Sequence, residues 1–265
     1  RENEVRRTGV DPLLWIIPLL LSFFGIMMIF SLTSHTSLEE YGSPFALGLK
    51  QLQWLFVGLG GMLFMYMIPL AFWKKYSGVI WLFALVLLIL TLIPGIGIKA
   101  GGARRWLGFG GLRFQPIEML SLAVAVHLSR LLNTSEKRGL SAFFTVTSPV
   151  LFISVLPLLF QPNMGGTILI FGLVMAIHVN CRGWGWPILF GGAGFSVFFM
   201  LILKEGYRLR RYIAFLDPWE QPLDSGFQVI QGLVAFSNGG LFGVGIGKGL
   251  QKLNYLPAAH TDYIF

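Results

Sequence analysis

His260, Thr261 and Asp262 stand where a polar, glycine-rich segment gives way to the apolar Tyr263-Ile264-Phe265. A carboxylate at such an edge is costly to desolvate, which makes it a functional candidate by default. Held half-dry, a carboxylate can be tuned toward the range in which a general base works. His260 could orient Asp262, or it could be a structural hydrogen-bonder, and both roles stay open. Upstream, Gln228 and Gln231 are spaced i,i+3, as on one helical face. Gly239, Gly240, Gly243, Gly245, Gly247 and Gly249 follow, with Lys248 among them. Their pattern fits neither a P-loop nor a dinucleotide fingerprint, so the loop is read as one that packs closely over a lipid headgroup. Lys248 is a contact to that headgroup or a solvated lysine.

The elements that must hold these residues lie in lipid. The 265 residues are 55% hydrophobic and 12% charged, and the mean hydropathy of +0.71 excludes an ordinary soluble domain. The lone cysteine, Cys181, excludes an internal disulfide and any multi-cysteine metal site. Apolar stretches of spanning length run over 13–32, 52–70, 79–94, 117–132, 143–160, 164–179 and 186–203, with another starting near Thr261. The expectation is an all-α polytopic membrane protein with about seven transmembrane helices and the start of an eighth. Residues 1–265 would form one membrane-embedded domain, with a long extracytoplasmic loop over 204–260. The chain begins on Arg1 and stops just inside a new apolar run, so it is expected to be truncated at both ends.

Arg1, Arg6 and Arg7 before the first span set a cytoplasmic N-terminus, and the short loops at Lys74-Lys75, 130–138 and Arg182 agree with it. Threaded from there, the loops 95–115 and 204–260 fall outside although they are basic. A basic outer face suits an anionic, membrane-borne substrate such as a lipid phosphate or pyrophosphate, and no nucleic-acid partner is expected. Pro149, Pro157, Pro187 and the glycines at 191, 192 and 194 fit broken helices around a cavity, or simple structural kinks. His35, His127 and His178 are scattered and receive no role.

Three segments go beyond composition. They are Gly101 to Leu120 (GGARRWLGFGGLRFQPIEML), Gln161-Pro162-Asn163-Met164-Gly165-Gly166, and the run from Tyr207 (YRLRRYIAFLDPWEQPLDSGFQVIQ) that leads into the closing Leu256-Pro257 and His260-Thr261-Asp262. In order, spacing and position between spans they resemble the SEDS family of bacterial shape, elongation, division and sporulation proteins. The likeness covers essentially the whole chain, and its wording is nearest to the cell-division branch.

The resemblance implies a fold of about ten membrane helices, the last of which this chain would lack. It implies a peptidoglycan glycosyltransferase that polymerises lipid II, an undecaprenyl-pyrophosphoryl disaccharide-pentapeptide, at the outer face of the bacterial cytoplasmic membrane. A class B penicillin-binding protein would be the partner, among other divisome or elongasome membrane proteins and membrane lipids. The family's essential aspartate maps onto Asp262, as the base that takes a proton from the acceptor sugar hydroxyl. Arg105 matches the Gly-Ala-x-Arg-Trp pattern, and Arg208 and Arg211 match the arginines before Phe215-Leu216-Asp217-Pro218; all three would stabilise the pyrophosphate. Gln161 and Glu118 would shape the cavity. No cofactor is required, although a divalent cation is compatible with a pyrophosphate.

The chain departs from the family pattern at several points. Asn163 replaces the aspartate after Gln-Pro, Ser121 stands where a lysine follows Glu118 by one turn, Gln221 and Phe227 replace an aspartate and a tyrosine, and Ala258 replaces an acid. A buried Glu118 without the lysine would have to protonate or find another partner. These losses leave open two competing functions, a lipid II flippase and a non-catalytic scaffold that recruits a transpeptidase.

Overall fold

The computed structural model describes residues 11–100, 103–109, 112–203, 216–224, 226–240, 242–245 and 247–249, together with positions 256, 259, 261, 263 and 264. Its helices are α1 (Leu13–Tyr41), α2 (Ala46–Met67), α3 (Leu70–Leu90), α4 (Pro116–Thr134), α5 (Gly139–Ala142), α6 (Ser148–Phe160), α7 (Met164–Arg182), α8 (Gly185–Leu203) and α9 (Phe227–Gly239). A π-helical turn, Phe143–Thr147, joins α5 to α6. Among the described residues four helical runs, Leu13–Tyr41, Leu70–Leu90, Gly139–Phe160 and Met164–Arg182, are long and apolar enough to cross a membrane. The chain is therefore a multi-pass membrane protein, and the other expected spans, in α2, α4 and α8, are helical as well.

Helix ends differ from the apolar windows because hydrogen bonding continues into polar sequence until a breaker stops it. α1 runs past Leu32 to Tyr41, where Gly42 turns left-handed at φ 69° and returns its N–H to the Leu38 carbonyl. α2 stops at Met67, ahead of Pro69. Pro69 is then the extended cap of α3, which starts well before the expected Val79.

In α1 burial is inverted relative to a soluble protein. In α1 the buried residues are Thr33 and Ser37, while Leu14, Leu20, Leu21 and Phe23 are exposed. Lipid removes the drive to hide apolar side chains, so contacts go to small and polar groups instead. Ser37 Oγ donates to the Ser43 carbonyl (2.6 Å) and accepts from Leu47 N–H (3.3 Å), tying α1 to α2 through their turn. Close by, a Cβ on Gly48 would meet the Phe30 ring at 2.3 Å, so the two helices approach where only glycine fits.

The chain divides into two compact units, 1–66 with 202–265, and 67–201. The second unit has its core between α3, α4, α6 and α7. Trp81, Ala84, Leu85 and Leu88 form one helical stripe on α3, and Ile117, Leu120, Val124 and Leu128 form another on α4. Buried polar groups bridge the helices: Trp81 Nε1 donates to Ser154 Oγ (3.0 Å), and Thr147 Oγ1 bonds His178 Nδ1 (2.6 Å) at the π turn. His127 stacks on Trp81 at 5.0 Å. Two of the three histidines left without a role by the sequence, His127 and His178, are thus polar partners between helices, of the kind worth about 0.6–1.7 kcal/mol in a membrane.

Candidate functional site

The segment expected to be a loop is a small sheet. β1 (Gly97–Ala100), β2 (Ala103–Phe109) and β3 (Leu112–Phe114) lie in the order β1-β2-β3, all antiparallel. The signal was present in the sequence: Gly-Gly pairs at 101–102 and 110–111 separate three short runs, the spacing of two-residue hairpins. Ala103 and Leu107 are buried, and strand alternation puts Arg105 on their face. From there Arg105 Nη2 donates to the Pro162 carbonyl (3.1 Å), while its buried Nε has no hydrogen-bond partner among the described residues. Arg105 therefore fastens the sheet to the Gln161-Pro162-Asn163 turn.

That turn is constrained throughout. Gln161 is 2% exposed, and its Nε2 donates to the Leu88 carbonyl (3.2 Å) and to Thr91 Oγ1. Asn163 caps α7, its Oδ1 accepting from Gly166 N–H at 3.1 Å. Asn163, which the resemblance sets in place of an aspartate, thus has a capping role. Asn163→Ala should cost about 1 kcal/mol, read as a lower melting temperature in detergent, whereas Asn163→Asp should match or exceed the parent because an anion suits a helix N-terminus.

Glu118 corrects an expectation. It lies in the first turn of α4 and is exposed, so no buried unpaired carboxylate arises. The N-terminal end of a helix favours an acid without a lysine partner. Ser121 is satisfied by donating to the Ile117 carbonyl (2.8 Å).

In the first unit, Gln228 and Gln231 are both half-buried on α9, flanking the buried Ile230. Gly226, just before α9, accepts a close approach that no Cβ would allow, since one would lie 2.0 Å from the Pro218 carbonyl oxygen. In the glycine loop Gly240, Gly243, Gly245 and Gly247 all have positive φ, and Gly247 N–H donates to Ser31 Oγ of α1 (3.0 Å). Lys248 is exposed. Asp262, His260, Arg208 and Arg211 lie outside the described residues.

The neighbour of Asp262 is described. The Tyr263 ring lies against Gly232 of α9, where a Cβ would be 2.3 Å from Tyr263 Cε1. Gly232→Val should push that ring away and lower the melting temperature in detergent, at a cost of about 1–3 kcal/mol. Among the described residues no group of three His, Cys, Asp or Glu forms a metal cradle.

The model of the FtsW/RodA/SpoVE family, described as cell cycle proteins, matches residues 11–265. The stage V sporulation protein E of Bacillus subtilis is 34% identical over 98% of this chain and 72% of its own length. A probable peptidoglycan glycosyltransferase FtsW of Saccharophagus degradans is 37% identical over 91% of this chain and 63% of its own. Among solved structures, one describing the coordination of polymerization and crosslinking by a peptidoglycan synthase complex contains a chain 25% identical to this one. The match has a TM-score of 0.61 and covers 84% of this chain and 66% of that one. The chain thus spans roughly two thirds of the length of the proteins it matches, and it belongs to the FtsW/RodA/SpoVE family.

Proposed function

We infer that this chain is a peptidoglycan glycosyltransferase that builds glycan strands. The observation that carries the inference is the family match over residues 11–265 together with relatives bearing that activity in their names. Lipid II is the substrate this reading requires, and Asp262 is the base. The acceptor's C4 hydroxyl passes its proton to the Asp262 carboxylate, and the oxygen forms a bond to the anomeric carbon of the donor. The bond from that carbon to pyrophosphate breaks, and the electron pair leaves with undecaprenyl pyrophosphate.

Pyrophosphate is already a good leaving group, so no acid partner is needed, only cationic stabilisation. Arg208 and Arg211 are proposed for it. Arg105 is assigned a narrower role, since its guanidinium is engaged by the Pro162 carbonyl. It holds the sheet in place, with the unpartnered Nε left to meet an anion.

In this reading residues 1–265 form one domain in the cytoplasmic membrane with a cytoplasmic N-terminus, and 204–260 is its long outer loop. A class B penicillin-binding protein is the proposed partner, supported by the likeness to a chain of a peptidoglycan synthase complex. The test is to purify the protein with that transpeptidase, supply lipid II and resolve the products on a gel. A ladder of glycan strands supports the reading. A folded complex that yields no polymer would turn it toward the flippase or the scaffold.

A further inference from the structure

Hydroxyls on membrane helices ordinarily bond back to a carbonyl one turn earlier, as Thr33 does to Ile29, Ser121 to Ile117 and Ser148 to Phe144. Ser31 departs from that habit. Among the described residues its Oγ makes no bond within α1 and instead accepts from the Gly247 N–H at 3.0 Å, joining positions 216 residues apart. The same face of α1 stays polar beyond it: His35 and Glu39 follow at i+4 and i+8, with His35 Nδ1 3.6 Å from Glu39 Oε1. Polar groups on a spanning helix turn toward protein and away from lipid. The stripe therefore marks the side of α1 that meets the glycine loop.

The loop needs such an anchor. Gly243, Gly245 and Gly247 have φ of 72°, 98° and 81°, a region glycine enters at no steric cost, and each glycine adds backbone freedom that folding must remove. Lys248 N–H donates to the Gly245 carbonyl (3.1 Å), closing a tight turn. The stem of Lys248 folds back over that turn, its Cδ 3.7 Å from where a Cβ on Gly245 would stand. Lys248 is exposed, and among the described residues it makes no ion pair. The Ser31 bond thus ties a turn that carries an uncommitted cation to a rigid helix.

We propose that Ser31 is a positioning residue for glycan synthesis: it holds Gly247 and the turn around it against α1, and so fixes where Lys248 offers its ammonium to the anionic end of the lipid substrate. The proposal rests on the glycosyltransferase reading and adds to it a residue remote in sequence from the rest of the site. The physical gain is preorganisation. A lysine on an unanchored glycine loop must be ordered when the substrate arrives, and that cost weakens binding. A turn pinned beforehand avoids the cost. Ser31 needs no contact with the substrate for this, since the bond it makes is to backbone.

The test compares the parent with Ser31→Ala, Lys248→Ala and the double variant, each purified with the partner transpeptidase and assayed on lipid II in liposomes. Alanine is the better helix former, so α1 keeps its fold, and Ser31→Thr keeps the acceptor as the rescuing variant. Ser31→Ala should raise KM about fivefold, the factor one net hydrogen bond confers, with kcat unchanged, the mark of lost substrate binding. Ser31→Thr should restore the parental KM. Added to Lys248→Ala, Ser31→Ala should have no further effect, because the turn then carries nothing that grips the substrate. A purely structural serine would weaken both backgrounds alike. Hydrogen–deuterium exchange without lipid II is the second readout: the Gly247 amide should exchange about fivefold faster in Ser31→Ala than in the parent. A parental KM in Ser31→Ala, effects that add to those of Lys248→Ala, or unchanged exchange would overturn the proposal. The exchange needs no turnover, so an inactive parent counts against the glycosyltransferase reading, whereas exchange alone decides the anchor.

Discussion

Replacing Asp262 by alanine is expected to abolish the glycan ladder while leaving the protein folded in the membrane. General-base catalysis contributes about 10²–10⁴ in rate, and Asp262→Asn should lose nearly as much, since an amide keeps the shape but cannot take the proton. The loss should fall on kcat, because Asp262 is asked to act on the hydroxyl proton as the bond forms and not to hold the lipid. A ladder of parental intensity from Asp262→Ala would remove Asp262 from the chemistry. The family assignment would survive that result, because it rests on residues 11–265 as a whole.

Gly97→Ala should have the largest effect on folding. A Cβ at Gly97 would lie 1.9 Å from the Thr91 carbonyl oxygen and 2.7 Å from its carbon. Both are backbone atoms, so no side-chain rotation relieves the clash. Thr91 is also held, with its Oγ1 donating to the Leu88 carbonyl (2.7 Å) and accepting from Gln161. The strain must therefore move β1, at a cost of about 1–3 kcal/mol. The expected result is a lower melting temperature. A variant that melts like the parent would show that the end of α3 and the sheet can slide apart freely.

The positions of the helices were legible because lipid imposes long apolar runs, and each expected span falls mainly within a helix. Their ends were not, since a helix such as α1 continues into polar sequence until a residue like Gly42 terminates it. The sheet over 97–114 was passed over because its strands are short and its glycines suggested a loop, although the two Gly-Gly pairs carried the hairpin signal. Arg105 was singled out for the pyrophosphate from the Gly-Ala-x-Arg-Trp match, and its contact with Pro162 joins parts of the chain 57 residues apart, which no local pattern shows. Glu118 was expected to shape the cavity and, if buried, to need a partner in place of the missing lysine. Helical geometry instead turned it outward on the first turn of α4, while Ile117 and Leu120 faced the core. Lys99 and Arg104 could not be paired from sequence, because their register depends on a bulge.

The proposed reaction forms glycosidic bonds at the expense of lipid II. Its most direct measurement is the release of undecaprenyl pyrophosphate by the protein in lipid II liposomes, followed together with the lengthening of glycan. One undecaprenyl pyrophosphate is expected for each linkage formed, and neither product from Asp262→Ala. Movement of lipid II between leaflets with no undecaprenyl pyrophosphate released would contradict it.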